Sequence, residues 1–343
     1  MQSGTTITIK SPEILSLTTW YLEPDGERRQ KLGKIEASRH NRRTQVGTMA
    51  RHRTVSGQLE GNRAVVSQII SALTRAILVA LLVATPALVL PSVATDTAQI
   101  VVVIALLFSF LTFIEYFGRY PSIVEFRFAP PFNRLKFLAL ALVVVMLSLI
   151  ARGKIEPSPI TLIITYFAQA IGNAMDFPFS PVRLVVLMLP ADATLELANS
   201  VRIAAGVAYS VSLVMILVFV TLVRLLGWPM RNGAFNVWVN LPLFDPTRGG
   251  DIVDRLRRDS GLNIVLGALL PFLIPAIVKA ASLVIEPVSF QSEQTLIWMM
   301  TVWALLPASI LMRGIALMRV AELIEEKRRR VYAKAEAEGL QNA

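Results

Sequence analysis

Long apolar segments are the feature of this sequence that most restricts what it can fold into. A helix needs about 20 predominantly apolar residues to cross the hydrocarbon layer of a bilayer. Five segments meet this requirement, and a sixth reaches it if Arg134 and Lys136 direct their charged ends to the headgroups. The predicted spans are residues 76–94, 97–117, 135–151, 203–223, 262–285 and 295–312. We therefore expect an all-α, polytopic helical bundle in a membrane.

The charge content supports this fold class. Of the 343 residues, 17% are charged and 54% are apolar, whereas soluble domains carry about 25% charged residues. Too few charges are present to cover the surface of a soluble globule. This composition argues against an ordinary soluble enzyme and against a disordered protein.

The basic residues predict the orientation of the spans. Lysine and arginine concentrate on the cytoplasmic side of membrane proteins. The segments 1–75, 118–136, 224–260 and 313–343 hold twelve, four, six and seven of the 34 lysines and arginines. Placing all four segments inside puts both termini in the cytoplasm and requires an even number of crossings. We expect an integral protein of a bacterial inner membrane.

The segment 157–200 is apolar but interrupted by prolines, and it leaves two interpretations. In the first it forms a re-entrant or interfacial helical hairpin on the outer face, which gives six spans. In the second, residues 159–177 and 182–199 each cross, which gives eight. We favour six, because Pro190, Asp192 and Glu196 are costly in the middle of a bilayer.

The remaining segments predict three domains. Residues 1–62 form a polar, basic cytoplasmic arm, residues 63–323 the transmembrane bundle, and residues 324–343 a charged cytoplasmic tail. Residues 63–75 have helical apolar periodicity, which predicts an amphipathic helix leading into the first span. Within the cytoplasmic loop 224–260, residues 249–261 predict one short helix that ends at Gly261.

Aromatic and basic residues in the cytoplasmic loops are candidates for binding protein partners or anionic lipid headgroups. The alternative is that they anchor the loops at the interface or pair within their own helix. Nucleic acid is not an expected partner, because the orientation of the spans explains the basic excess. The candidates are Arg119, Tyr120, Arg127, Trp238, Arg257 and Arg258.

Catalytic groups are scarce. Cysteine is absent, and both histidines, His40 and His52, precede the first span. The sequence therefore has no histidine or cysteine cluster at metal-ligand spacing and no histidine base near a membrane serine. We expect a non-enzymatic protein without a cofactor.

One predicted helix carries a polar face. At 100° per residue, Gln169, Asn173 and Asp176 share a side of the segment 166–176. Lys279 is the only charge deep in a predicted span, and it either extends to the outer headgroups or pairs with a carboxylate such as Asp176. These four residues are the candidate binding site for a solute.

Three functions follow from these features. The first is an accessory, assembly or scaffold component that binds protein partners through its aromatic and basic cytoplasmic loops. The second is a small-solute or ion transporter or channel whose polar site lies near the outer hairpin. The third and most remote is a membrane enzyme that acts on lipid.

Overall fold

The computed structural model describes residues 63, 65–91, 94–118, 122–229, 240–245, 249–282, 290, 292–337 and 339. The predicted arm 1–62 lies outside the described residues, as do Arg119, Tyr120 and Trp238. The chain divides into two units, 1–69 and 70–343. Everything below concerns the second unit, apart from the start of its first helix.

The described residues form eight helices and no strand. They are α1 (Val65–Val89), α2 (Thr95–Phe117), α3 (Phe132–Ile155), α4 (Pro159–Met175), α5 (Pro181–Leu187), α6 (Leu195–Leu225), α7 (Ile252–Ala281) and α8 (Glu293–Ala337). Six of them, all except α4 and α5, are long and apolar enough to cross a membrane. This confirms the prediction of an all-helical chain with six helices of spanning length.

Several helices extend beyond the predicted spans, and two of them begin well before the predicted start. Helix α6 begins at Leu195 rather than at 203, because the Thr194 hydroxyl accepts a hydrogen bond from the Leu197 amide and caps the helix there. The predicted short helix 249–261 is instead the start of α7, which continues past Gly261 to Ala281. Its N-cap is Asp251, whose carboxylate accepts a hydrogen bond from the Val253 amide.

The segment 157–200 contains two helices of unequal length. Helix α4 has 17 residues and begins with a capping box between Ser158 and Thr161, followed by Pro159 at its first position. Helix α5 has 7 residues, and turns around Pro190 separate it from α6. Residues 182–199 therefore do not form the continuous helix that the eight-span interpretation requires.

Helices α6 and α8 form the centre of the second unit. Helix α8 packs along α7, α6 and α3, and α6 also contacts α4 and α5. Glycines allow the close contacts: a Cβ atom on Gly206 of α6 would lie 2.6 Å from the Cα atom of Gly172 on α4. The same holds between α7 and α8, where a Cβ on Gly267 would lie 2.6 Å from the Leu311 amide nitrogen. Small residues at such crossings let helix backbones approach closely.

The prolines of α7 do not interrupt it. Pro275 has no amide hydrogen, so the Pro271 carbonyl one turn earlier loses its helical partner. The Trp303 indole of α8 donates a hydrogen bond to that carbonyl at 3.2 Å. This buried contact gives the Pro271 carbonyl a hydrogen-bond partner and ties α7 to α8.

The loop between α2 and α3 folds onto the chain itself. The Glu115 carboxylate accepts hydrogen bonds from the amides of residues 122, 123 and 124. The Arg127 guanidinium donates to the carbonyls of residues 115, 116 and 118 and so caps the end of α2. Phe126 and Phe132 of the same loop region pack on Trp228. Contacts within the loop are joined by distant ones, because the amides of Phe126 and Phe128 donate to Asn240 and Glu125 pairs with Arg313.

Candidate functional site

A cavity lies at one end of the second unit, between α3, α4, α6 and α8. It has a volume of about 240 Å³, and we call it the end cleft. Its polar lining consists of Lys154, Thr165, Gln169, Glu196, Asn199, Ser200 and Glu293. Its apolar lining consists of Leu147, Ile150, Ala151, Ile203, Ala204, Leu296 and Ile297.

Helix ends bring the charged residues of the end cleft together. Lys154 is in the last turn of α3, Glu196 in the first turn of α6 and Glu293 in the first turn of α8. The contacts of Lys154 and the shared lining of the cleft show that the end of α3 and the starts of α6 and α8 meet at the same end of the unit. The Lys154 ammonium lies 2.7 Å from a Glu293 carboxylate oxygen and 3.0 Å from the Ser200 hydroxyl.

Two close helix contacts hold α4 against the end cleft. The Gly206–Gly172 contact sets the distance between α6 and α4. A Cβ atom on Gly153 of α3 would lie 2.9 Å from the Thr161 Cβ, so the turn from α3 into α4 is equally tight. With these contacts, Thr165 and Gln169 of α4 line the cleft.

A charged cluster lies beside the end cleft. The Asp176 carboxylate, only 6% exposed, has one oxygen 2.9 Å from Arg183 Nε and the other 2.8 Å from Arg202 Nε. Arg202 also donates to the Asn199 side-chain oxygen at 3.3 Å, and Asn199 lines the cleft. The cluster joins the end of α4 to α5 and α6.

The structure separates the four predicted solute-site residues. Gln169 lines the end cleft, and Asn173 is exposed on α4. Asp176 pairs with Arg183 and with Arg202. Lys279 instead donates to the Leu189 carbonyl at 3.0 Å, so the suggested pair with Asp176 does not form.

The predicted loop residues that fall within the described part have distinct surroundings. Arg127 caps α2, as described above, and burial lowers the pKa of its guanidinium. Arg257 forms an ion pair with Glu325 of α8, whereas Arg258 is exposed near the start of α7.

Sequence reasoning missed Lys154, Glu196 and Glu293 as site residues. A usable signal was present, because all three lie at helix ends that an alternating topology places on the same side. Among the residues that the structure describes, no three His, Cys, Asp or Glu side chains are grouped as a metal site.

In comparisons with known proteins, the chain matches no family model, no curated protein sequence and no solved structure.

Proposed function

We propose that this chain is an integral protein of a bacterial inner membrane that crosses it six times, with both termini in the cytoplasm. The six long apolar helices and the distribution of lysine and arginine support this topology. In it, the Lys154–Glu293 pair lies at the outer end of the helices. The Glu125–Arg313 pair then lies at the cytoplasmic end. The hairpin 157–200 would lie at the outer face.

We propose further that the protein is a non-enzymatic accessory, assembly or scaffold component that binds protein partners. The observation that carries this proposal is the exposure of α2. Of its 23 residues only Ala105 and Glu115 are buried, and the mean hydropathy of its apolar window is 2.5. Leu106 and Phe108 are 64% and 50% exposed, although they point about 200° apart on the helix.

Exposure on opposite sides matters because helices in a membrane associate through packing rather than through the hydrophobic effect. The contacts of Glu115 and Arg127 hold one end of α2. Along the helix one narrow face, at positions 98, 101, 105, 109, 112 and 116, is buried or half-buried, while most of the remaining circumference is exposed. This surface is suited to a helix of another membrane protein. By contrast, internal contacts engage the loop residues Arg127 and Arg257, which makes α2 the stronger candidate for partner binding.

Site-specific photocrosslinking in native membranes tests this proposal. A photoreactive amino acid at Leu106 should give a discrete crosslinked protein species. The matched control is Leu162 of α4, which is 58% exposed and should label lipid only. Mass spectrometry identifies the partner, and a probe on the partner's own helix should label α2 in return. If the probe at Leu106 labels lipid and no protein, the proposal is contradicted.

The second candidate function is a carrier or channel for a small solute, and the end cleft favours it. The cleft joins polar and charged side chains from four helices with an apolar wall, which is the usual composition of a small-molecule site. Uptake of candidate solutes into proteoliposomes, compared with protein-free liposomes, tests transport. Equal uptake in both would exclude this function for the solutes examined.

A further inference from the structure

The charged side chains of the end cleft are unequally engaged. An ammonium group has three hydrogen-bond donors, and Lys154 uses two of them for Glu293 and Ser200. One donor of Lys154 therefore remains available. The negative charge of the Glu293 carboxylate is compensated by its ion pair with Lys154.

Glu196 has a different environment. Its side chain is exposed and lines the end cleft, and no hydrogen bond or ion pair joins its carboxylate to a described residue. Its position in the first turn of α6 places the carboxylate at the positive end of the helix dipole. With two carboxylates and one ammonium, the lining has a net negative charge.

The size of the end cleft limits what it can hold. A cavity of about 150 Å³ binds benzene, so about 240 Å³ is enough for a compound of about eight heavy atoms. The side chains of Leu147, Ile150 and Leu296 form an apolar wall for a short aliphatic group. Gln169 adds an amide that engages no described residue.

We infer that the end cleft binds a small aliphatic α-amino acid as its zwitterion. The ligand ammonium contacts the Glu196 carboxylate, and the ligand carboxylate accepts the free donor of Lys154. The aliphatic side chain rests on the apolar wall. This inference deepens the second candidate function, but binding is measured separately from transport.

Binding measurements on the full chain in lipid nanodiscs test the inference. The probes are valine, with eight heavy atoms, isobutylamine, which lacks the carboxylate, and isovalerate, which lacks the ammonium. Wild type should bind valine saturably and isovalerate not at all. Glu196→Gln should weaken valine and isobutylamine binding by about tenfold or more, since it removes a charge-assisted contact.

Two variants make the result specific. Lys154→Met should weaken valine binding but not isobutylamine binding, because it removes the partner of the ligand carboxylate and leaves Glu293 as a further carboxylate for an amine. A thermal unfolding scan checks that the variant folds. Glu156→Gln is the matched control, because Glu156 pairs with Arg152 at the same end of α3 and does not line the cleft. It should bind valine like wild type.

Some outcomes would overturn the inference. One is the absence of saturable valine binding to wild type, and another is equal binding by Glu196→Gln and Glu156→Gln. Saturable binding without uptake into proteoliposomes would refute the carrier function and leave the site intact. Uptake that Glu196→Gln does not affect would refute the site and leave the carrier function intact.

Discussion

The contact between Gly172 and Gly206 makes a sharp prediction about stability. A Cβ atom on Gly206 would lie 2.6 Å from the Gly172 Cα and 3.1 Å from its amide nitrogen. Carbon atoms in contact prefer about 3.5–4.0 Å, so Gly206→Ala must separate α4 from α6 by about 1 Å. Both partners are main-chain atoms, and no side-chain rotation relieves the clash.

The magnitude follows from two opposing effects. Overpacking costs about 1–3 kcal/mol, and a contact between main-chain atoms belongs at the upper end of this range. Replacing a helical glycine with alanine contributes about 1 kcal/mol in the opposite direction. We therefore expect Gly206→Ala to be less stable than wild type by about 2 kcal/mol.

Gly261→Ala is the matched control. Gly261 is also inside a helix, but a Cβ atom there would meet nothing within 4 Å. The free energy of unfolding of this variant should be higher than that of wild type by up to about 1 kcal/mol. It should be higher than that of Gly206→Ala by about 3 kcal/mol. Unfolding by titration with a denaturing detergent in mixed micelles measures both free energies. Equal free energies of unfolding for the two variants would refute the close-contact argument.

Three further predictions concern the end opposite the end cleft. Glu125→Gln should lower the free energy of unfolding by about 3 kcal/mol. It breaks a largely buried ion pair and leaves Arg313 without its carboxylate. An unchanged free energy of unfolding in the detergent titration would contradict this. A hydrogen bond from Arg328 holds the pKa of Asp251 below its ordinary 3.8, so its stabilising contribution is present above that pH and is lost as pH falls through the lowered pKa. Thermal unfolding of Asp251→Asn should therefore differ from wild type at neutral pH and converge with it in acid. Arg127→Gln should increase hydrogen exchange at the end of α2, since it removes the cap from the last carbonyls; unchanged exchange would show that the cap is dispensable.

Sequence spacing predicts contacts within a helix far better than contacts between helices. Residues three or four apart on a helix are neighbours, which suggested that the acidic and basic residues of 251–258 pair with one another. The structure instead pairs Asp251 with Arg328 and Arg257 with Glu325, both on α8. Such pairs depend on how α7 and α8 lie against each other, and local spacing carries no information on this.

The candidate site also combines residues that helical spacing can identify with residues that only helix packing brings together. The polar face of 166–176 includes Gln169, which lines the end cleft. Its counterparts could not be found by spacing, since Lys154 and Glu293 are 139 positions apart in the chain. Arg202 was missed as a partner of Asp176 for the same reason, because it lies on the next long helix.

The sequence by itself determined that the chain is helical and that six segments are long and apolar enough to cross a membrane. Each of these properties belongs to a window of about 20 residues. It depends on the transfer of side chains from water to the hydrocarbon layer and on backbone hydrogen bonding within that window. The tertiary structure alone decided which helices touch and where the end cleft forms. Close approach at Gly172 and Gly206 requires two small residues to face each other across a helix crossing. That coincidence arises from the packing of whole helices and leaves no periodic signal in the sequence.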